Sequence, residues 1–289
     1  MGLRLIQSDD TLRILDGDQD LLTYVYRPGE AQLESPRPYF HPLRTRGGDL
    51  VSLYRPHDHV WHKGIALSLP NVGPANLWGG ATYVRDRGYV QLPNNGSMVH
   101  TGFDRITPSP QGVRVEQRLD WVTQDGETWF REKRSFTVAL SGPAGWTLDL
   151  TSDFTNVSAS PVALGSPTTQ GRENAGYGGV FWRGPRSFTG GVVTTVVDGE
   201  LVSGGDELMG VRAPWMAFTG RHDEVDRAST LLFAVDKPVE WFVRTTPFAC
   251  VCPAPYFSTE TIVEPGGSAG LGCRVTVLDG PLDPTSIPL

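Results

Sequence analysis

The chain has 289 residues, a formal net charge of −7 and 39% hydrophobic residues. This length and apolar content suffice for one large core, so we expect a single domain spanning residues 1–289. The absence of a basic run argues against a nucleic-acid partner, and no apolar stretch approaches the roughly 20 residues of a membrane span. Three cysteines indicate free thiols, and the N-terminal residues lack the apolar core of a signal peptide, so we expect a cytoplasmic location.

Short segments of alternating polarity predict a chain made almost entirely of strands. Residues 3–26 read as a meander of three strands, and residues 50–54 and 65–69 read as strands on either side of a histidine-rich segment. Residues 70–98 form a long irregular segment, and segments of this length in compact domains often serve as lids or binding loops. A further strand is expected at residues 98–106.

The clearest local signal is a hairpin in the middle of the chain. Residues 113–121 alternate apolar and charged side chains, and Asp125-Gly126 then turns the chain into a second alternating segment. Further strands are expected at residues 146–158, 192–197, 215–219, 230–235, 240–245, 256–263 and 272–278. No window combines helical periodicity with caps. The pattern therefore predicts an all-β protein, a large two-sheet β-sandwich.

The segment from Arg37 to Gly64 contains four of the six histidines of the chain. Its chemistry-bearing residues are His41, Arg44, Arg55, His57, Asp58, His59, Trp61, His62 and Lys63. A solvated surface seldom concentrates imidazole, guanidinium and indole groups. A pocket for a polar, hydroxyl-rich or anionic small molecule uses all three, so we expect this segment to form the wall of an active or binding site.

The spacing of His57, His59 and His62 leaves two readings open. If the chain is extended, His57 and His59 share one face of a sheet, and His62 joins them after a bend at Trp61. That arrangement is compatible with a divalent metal site, although Asp58 would point to the opposite face. The alternative is a hydrogen-bonding cluster of histidines that holds a substrate or a loop.

Other candidate residues lie further along the chain. His100 follows the long irregular segment and is either a candidate for proton transfer or a buried histidine with satisfied hydrogen bonds. Gln170, Arg172 and Glu173 lie in a glycine-flanked loop that either presents polar groups to a ligand or is an exposed charged turn. Glu260 is expected in the middle of a strand, where a carboxylate is either a general base or a solvent-facing residue. Arg244 is a candidate for binding a carboxylate or a pair of hydroxyl groups, with a surface ion pair as the alternative.

Several motifs resemble a bacterial family that carries the label "methane oxygenase PmoA". The matching segments are RPYFHPLRT, RPHDHVWHKGI, NLWGG, YGGVFWRGP and PFACV, with a closing strand that ends in LDG. They cover nearly the whole chain. The label implies a metal-dependent oxygenase, for which His57, His59 and His62 would be the metal ligands.

The order of parts also resembles, more distantly, the galactose-mutarotase superfamily, a β-supersandwich of carbohydrate-active proteins. His100 and the three residues after it resemble its HGF-type motif, and residues 153–165 resemble its strand that ends in Thr-Asn. The resemblance implies a late glutamate base, for which Glu260 is the loose match. It departs at the second, acid-acting histidine, because residues 165–179 contain none, with only Gln170 or Glu173 nearby.

From these patterns we expect a carbohydrate-active protein with a small-molecule sugar as its partner and no required cofactor. His100 and one or more of the clustered histidines would transfer protons or stabilise an oxyanion in an isomerisation, elimination or hydrolysis. Trp61 or Trp78 would stack on the sugar, and Arg44, Arg55 and Arg244 would bind its hydroxyl or carboxylate groups. The alternatives are a carbohydrate-binding protein without turnover and a His-ligated oxygenase.

Overall fold

Alternating apolar and polar residues form strands throughout residues 2–283, the part of the chain that the computed structural model describes. In chain order the strands are β1 (Leu3–Gln7), β2 (Thr11–Asp16), β3 (Gln19–Val25), β4 (Tyr39–Leu43), β5 (Ile65–Val72), β6 (Ala75–Leu77), β7 (Thr82–Val84), β8 (Gly88–Val90), β9 (Ser97–Pro108), β10 (Gly112–Val122), β11 (Thr128–Ser141), β12 (Gly145–Asn156), β13 (Val162–Gly165), β14 (Gly179–Arg183), β15 (Val192–Val197), β16 (Glu200–Gly204), β17 (Arg212–Arg221), β18 (Ala228–Arg244), β19 (Cys250–Pro253), β20 (Thr261–Val263) and β21 (Ser268–Asp279). Within these residues the only helical elements are three 3₁₀ turns, at Gln32–Glu34, Arg186–Phe188 and Asp206–Leu208. The prediction of an all-β chain is confirmed.

Two large antiparallel sheets contain most of the strands. One sheet has the order β9-β10-β11-β12-β21-β18-β17-β15-β16. The other has the order β1-β2-β3-β4-β5-β14-β19-β18. Strand β18 belongs to both, because its first part pairs with β21 and its last part pairs with β19. The end of β5 also pairs with β6 and β13, and β7 and β8 form a separate hairpin.

The inward faces of both sheets contribute to one hydrophobic core. The predicted hairpin is part of it, since Val113 pairs with Val138 and Trp121 with Phe130, and all four side chains are buried. Burial of each large apolar side chain contributes about 1.5–3 kcal/mol relative to exposure. The alternation that predicts the strands therefore also identifies the face that packs, and the predicted large sandwich of two sheets is confirmed.

Four fully buried tryptophans stabilise this core, and each has a partner for its indole N–H. Trp121 donates to the Glu132 carboxylate at 2.6 Å, and Trp146 donates to the Arg44 carbonyl at 2.8 Å. Trp182 and Trp241 each donate to a backbone carbonyl at 2.8 Å. A buried N–H without a partner costs about 1–3 kcal/mol. The indole rings therefore contribute apolar area to the core without leaving a polar atom unpaired.

Some predicted elements differ in the structure. Residues 50–54 do not form a strand, since they contribute only two isolated bridges, from Leu50 to Arg44 and from Tyr54 to Lys63. The irregular segment 70–98 contains the short strands β6, β7 and β8. The strand expected at residues 256–263 is confined to β20, because residues 256–259 form turns. Within residues 2–283, no helix is long and apolar enough to cross a membrane.

Candidate active site

A cleft of about 430 Å³ opens where several loops meet the ends of β14 and β18. It is lined by His59, Trp61, His62, Trp78, Gly79, Ala81, Tyr89, Arg172, Asn174, Ala175, Tyr177, Phe181, Phe242, Arg244, Pro247 and Phe248. Its volume lies in the range of about 300–1,000 Å³ that is usual for small-molecule sites. The chain thus brings together residues from widely separated segments around one concave, mostly aromatic surface.

The aromatic walls rest on a second hydrophobic cluster, separate from the main core. Trp78 lies 4.5 Å from Tyr177 and 4.8 Å from Phe181 between ring centroids, and Phe242 continues this wall 5.4 Å from Tyr177. Cys250 and Cys252 pack beneath these rings in the same cluster. Because the rings pack against one another, the cleft keeps flat apolar faces that do not collapse onto each other.

Two consecutive tight turns place His59 beside His62. The His59 N–H donates to the Pro56 carbonyl at 3.0 Å, and the His62 N–H donates to the His59 carbonyl at 2.9 Å. The imidazole rings of His59 and His62 stack with centroids 4.7 Å apart and an angle of 12° between their planes. Of the two conformations considered for this segment, the chain adopts the turn and not the extended one, and His59 and His62, rather than His57 and His59, form the adjacent pair.

Arg183 fixes the tautomer of His62. Its side chain is fully buried, and its Nη1 donates to His62 Nδ1 at 3.0 Å. A ring nitrogen that accepts a hydrogen bond carries no proton, so the proton of the neutral His62 ring is on Nε2. Burial lowers the pKa of His62 well below its ordinary value, and the nearby His59 and Arg183 lower it further. His62 is thus a neutral ring with Nε2–H as the group that can meet a ligand.

Asp58 is the neighbouring acid for both His59 and Arg183. Its carboxylate accepts from Arg183 Nη2 at 3.1 Å and from Arg186 Nη2 at 2.8 Å. Partial burial opposes ionisation of Asp58, but the hydrogen bonds from Arg183 and the nearby His59 hold its pKa well below the usual range. His59 Nδ1 is buried 3.1 Å from Asp58 Oδ2 and makes no hydrogen bond among the described residues. The nearby negative charge favours a proton on Nδ1, which leaves Nε2 of His59 with a free lone pair.

Burial also lowers the pKa of His59, although the Asp58 carboxylate partly opposes this change. Both cleft imidazoles are therefore neutral near pH 7. The two rings present different chemistry to a ligand, because His59 offers a lone pair and His62 offers an N–H. Such a pair can accept a proton at one atom and donate a hydrogen bond at another.

Two glycines allow Trp61 to lie against the wall of the cleft. Gly79 and Gly80 have positive φ angles of 107° and 68°, a region that favours glycine. A Cβ at Gly80 would lie 2.7 Å from the indole ring of Trp61. Asn76 holds this turn, since its Oδ1 accepts from the Trp78 and Gly79 N–H groups at 2.8 and 2.9 Å. The NLWGG motif therefore positions both tryptophans of the cleft, Trp61 and Trp78.

The other histidines of the predicted site lie outside this cleft. His57 is exposed, and its Nδ1 lies 3.2 Å from Arg186 Nη2. His41 bonds Ser52 Oγ through Nδ1 at 2.8 Å and stacks on Tyr54, and burial lowers its pKa to about 4. These contacts anchor both rings to the protein. Their roles as catalytic and substrate-binding residues stay predictions.

His100 lies in a separate surface depression with Tyr26, Arg27 and Phe103. Its Nδ1 lies 2.7 Å from the Gln117 amide nitrogen, and its ring packs 4.5 Å from Phe103. Partial burial is the main cause that lowers its pKa. The structure therefore does not place His100 beside His59 and His62, and its catalytic assignment stays a prediction.

Two of the three predicted substrate-binding arginines make contacts within the fold. Arg44 Nη1 donates to the Gly48 carbonyl at 2.9 Å. Arg55 forms a two-pronged ion pair with the buried Glu34, at 3.0 and 2.8 Å. Neither lines the cleft, whereas Arg244 does. Of the predicted residues, the structure gathers His59, His62, Trp61, Trp78 and Arg244 around the cleft.

Glu260 is not in the middle of a strand, because β20 begins at the next residue. Its Oε1 accepts from Gln170 Nε2 at 2.7 Å and from Thr169 Oγ1 at 3.0 Å on an exposed surface. Glu173 is exposed in the adjoining loop. Gln170 and Glu260 therefore meet outside the cleft lining, which Glu173 does not join either, and the assignments of all three stay predictions.

The two possible readings of the histidine cluster differ in their fit to these contacts. Among residues 2–283, no three His, Cys, Asp or Glu side chains are placed to hold one metal ion together. His57 and His62 each direct Nδ1 to a guanidinium group, which repels a cation from that side. The geometry matches the hydrogen-bonding reading of the cluster.

Several cleft residues were not among the predicted site residues. Tyr177 and Phe181 belong to YGGVFWRGP, as does Arg183 behind the lining, and Phe242 and Phe248 flank Arg244 in the chain. The signal available in the sequence was the clustering of aromatic residues around glycine or arginine in these two segments. Their meeting with residues 59–62 depends on the pairing of β14 with β5 and β19.

Residues 11–288 match the model of a family described as a family of unknown function, DUF6807. The chain belongs to this family. The description of this family names no activity. The comparisons do not show the PmoA label. No curated protein matches the sequence of this DUF6807 member.

Several solved structures are similar to this DUF6807 chain in fold. Galactose 1-epimerase from Lactobacillus acidophilus NCFM is 9% identical with a TM-score of 0.44, over 96% of this chain and 99% of that one. An α-galactosidase from Lactobacillus brevis is 9% identical with a TM-score of 0.44, over 96% and 39% of the two chains. The GH36 α-galactosidase AgaA from Geobacillus stearothermophilus, in complex with raffinose, is 12% identical with a TM-score of 0.43, over 96% and 40%. This chain thus spans about two fifths of the length of the two α-galactosidases.

Proposed function

We propose that the cleft binds a small carbohydrate and that His59 and His62 carry out acid–base chemistry on it. The observation that carries this proposal is the pair of stacked, neutral imidazoles inside an aromatic cleft. Arg183 sets the tautomer of His62, and the nearby Asp58 charge favours a proton on Nδ1 of His59. Neutral imidazoles placed in a pocket near pH 7 are suited to general acid–base catalysis.

The two imidazoles have different roles in this proposal. His59 accepts a proton from a hydroxyl group or from a carbon next to a carbonyl group, through its free Nε2. His62 donates a hydrogen bond from Nε2–H to the oxygen on which negative charge develops. A neutral histidine can act in this way without giving up its proton. The reaction class that follows is isomerisation or epimerisation, in which the proton on His59 returns to the sugar.

The walls of the cleft support a sugar as the ligand. A pyranose ring has apolar C–H faces and a rim of hydroxyl groups. The flat rings of Trp61, Trp78 and Tyr177 suit those faces, and the imidazoles and guanidiniums suit the rim. A purely apolar ligand would leave the N–H groups of the cleft without partners, which is costly.

The test is turnover and binding with a panel of aldoses, uronates and keto-sugars, followed by NMR. We expect one class to exchange or interconvert in the presence of the wild-type protein. His59→Gln should lower the rate at least about a hundredfold while binding is retained, since it removes the proton acceptor. His62→Gln keeps an N–H donor, so it should lower the rate less than His62→Ala.

The control is His222→Gln. His222 bonds the Ser229 hydroxyl and does not line the cleft. It should retain wild-type turnover. Binding of a sugar without turnover would reject catalysis and leave a carbohydrate-binding protein. Turnover that survives both His59→Gln and His62→Ala would show that these residues are not the acid–base pair.

A further inference from the structure

The lining of the cleft is positively charged, although the chain as a whole carries a net charge of −7. Among its lining residues are two arginines, Arg172 and Arg244, and no aspartate or glutamate. The two histidines of the lining are neutral, as their lowered pKa values require. A neutral sugar would not need two guanidinium groups at one small cleft.

Arg172 makes no ion pair among the residues that the structure describes. Its guanidinium lies 4.7 Å above the Tyr89 ring, and Nη1 donates to the Tyr89 hydroxyl. The Tyr89 hydroxyl in turn lies 2.8 Å from the Tyr177 hydroxyl. Stacking on an aromatic face fixes the guanidinium plane while leaving several N–H groups unused. Arg172 is therefore held in position without a counter-ion.

Arg244, the second arginine of the lining, is only weakly paired. Its Nη1 lies 3.4 Å from Asp206 Oδ2, and its side chain is one-third exposed. The other carboxylate oxygen of Asp206 accepts from the Thr245 N–H and hydroxyl at 2.5 and 2.8 Å. Nε and Nη2 of Arg244 make no hydrogen bond within the described residues, so they can meet a ligand.

The charges behind the lining add to this positive character. Behind His59 and His62, the two guanidiniums of Arg183 and Arg186 face the single carboxylate of Asp58. Behind Trp61 lies a cluster of three cations and two carboxylates, which is buried except for the exposed Arg55. Its members are Arg37, Arg55, Lys63, Glu30 and Glu34. Low-dielectric aromatic walls strengthen the field of such charges inside a cleft.

We infer that the carbohydrate bound in this cleft is an anionic sugar, whose charged oxygens are bound by Arg172 and Arg244. This inference rests on the proposed function and specifies its substrate class. A guanidinium fork matches two oxygens of either a carboxylate or a phosphate, so the sugar is a sugar acid or a sugar phosphate. The aromatic wall formed by Tyr177 and Phe242 bears the ring of the sugar.

The experiment measures binding by isothermal titration calorimetry for four ligands: glucuronate, galacturonate, glucose 6-phosphate and glucose. We expect one of the anions to bind at least about tenfold more tightly than glucose. Raising the salt concentration should weaken binding of that anion and leave glucose unaffected, because screening acts on the charge. Preference for a uronate or for the phosphate identifies the source of the anionic group.

The variants Arg172→Gln and Arg244→Gln locate the charge that is responsible. Each should weaken binding of the preferred anion by about tenfold or more, since a hydrogen bond to a charged group is lost. Each should change glucose binding by less than about twofold, because the glutamine amide can still hydrogen-bond to a hydroxyl group. Arg274→Gln is the matched control for net charge, because Arg274 is an exposed residue paired with Asp149 outside the cleft. It should leave all affinities unchanged.

Glucose binding as tight as that of the anions, together with variants that lose no affinity, would overturn the anionic assignment and leave sugar binding intact. Binding of an anion that survives both arginine variants would overturn the assignment of these two residues. Absence of binding for every sugar, charged or neutral, would refute the proposed function and the inference with it. Thermal unfolding of each variant confirms that it is folded before its affinity is compared.

Discussion

The clearest test of the candidate site is the removal of Arg183. In Arg183→Met the side chain keeps its apolar length but loses the guanidinium group, which is fully buried. The lost contacts are the hydrogen bond to His62 Nδ1 at 3.0 Å, the one to Asp58 at 3.1 Å and the cation–π contact 3.7 Å from the Phe248 ring. Hydrogen bonds to charged groups contribute about 1.5–3 kcal/mol each.

The expected net loss is smaller than the sum of these contributions. Asp58 keeps its ion pair with Arg186 at 2.8 Å and is 27% exposed, so it is not left as an isolated buried charge. Burial lowers the pKa of Arg183 itself, which shows that its charge is costly to bury. Breaking one side of a buried pair costs about 3–5 kcal/mol. We therefore expect a loss near the lower end, about 3 kcal/mol, in the free energy of unfolding measured with urea.

A second measurement separates the site effect from general destabilisation. Long-range ¹H–¹⁵N NMR spectra report which ring nitrogen of His62 carries the proton. In the wild type we expect the Nε2–H tautomer throughout the neutral range. In Arg183→Met the ring should populate both tautomers and its pKa should rise toward the ordinary value, because a repelling charge is gone. Arg183→Lys retains a charge without the fork and should lose about half as much stability.

The reasoning would be refuted by Arg183→Met with stability within about 0.5 kcal/mol of the wild type and an unchanged His62 tautomer. That result would mean that the guanidinium neither stabilises the turn nor determines the tautomer of His62. A large loss of stability with an unchanged tautomer would refute only the second statement.

Three further predictions concern other parts of the chain. Burial lowers the pKa of His41 to about 4, so the unfolded chain takes up this proton at a higher pH than the folded chain does. The free energy of unfolding should therefore fall by up to about 3 kcal/mol as the pH falls from about 6.5 to 4. Urea unfolding at a series of pH values measures this dependence, which His41→Asn should weaken. Gly80→Ala should lower the free energy of unfolding, measured by thermal denaturation, by at least about 2 kcal/mol, because the new Cβ would meet the Trp61 ring. Gly88 has a similar positive φ but open space around it, so Gly88→Ala should lower it by only about 1 kcal/mol. Burial raises the pKa of the Cys250 thiol to about 12, so a disulfide-exchange reagent should label none of the three thiols before unfolding; fast labelling of the native protein would contradict the buried placement.

The strands were predictable because each depends on a local pattern. Val113 and Trp121 alternate with charged neighbours. That alternation predicts the strand and also shows which of its faces packs into the core. The hairpin also has its turn residues in place. Local patterns of this kind need no knowledge of partners, so the all-β architecture follows from them.

The turn at residues 55–62 was not predictable in the same way. The sequence left both an extended chain, with His57 and His59 on one face, and a loop open for this segment. Instead, Arg55 has a positive φ of 45°, and the Arg55 N–H donates to the His62 carbonyl at 2.9 Å. Arg55 is held there by its two hydrogen bonds to Glu34, which is 21 residues earlier in the chain. A distant carboxylate thus decides the local conformation.

The protonation state of the site depends on even longer-range contacts. His62 and Arg183 are 121 positions apart in the chain and meet because β14 pairs with β5. Without that pairing, His62 is one imidazole among several, and its spacing to His57 and His59 is equally consistent with a metal site. Once Arg183 occupies Nδ1, that nitrogen is no longer free for a metal, and the ring becomes a neutral hydrogen-bond donor. The protonation state of His62 therefore depends on the pairing of β5 with β14. A substitution that weakens this pairing, made outside the cleft lining, should alter the His62 tautomer.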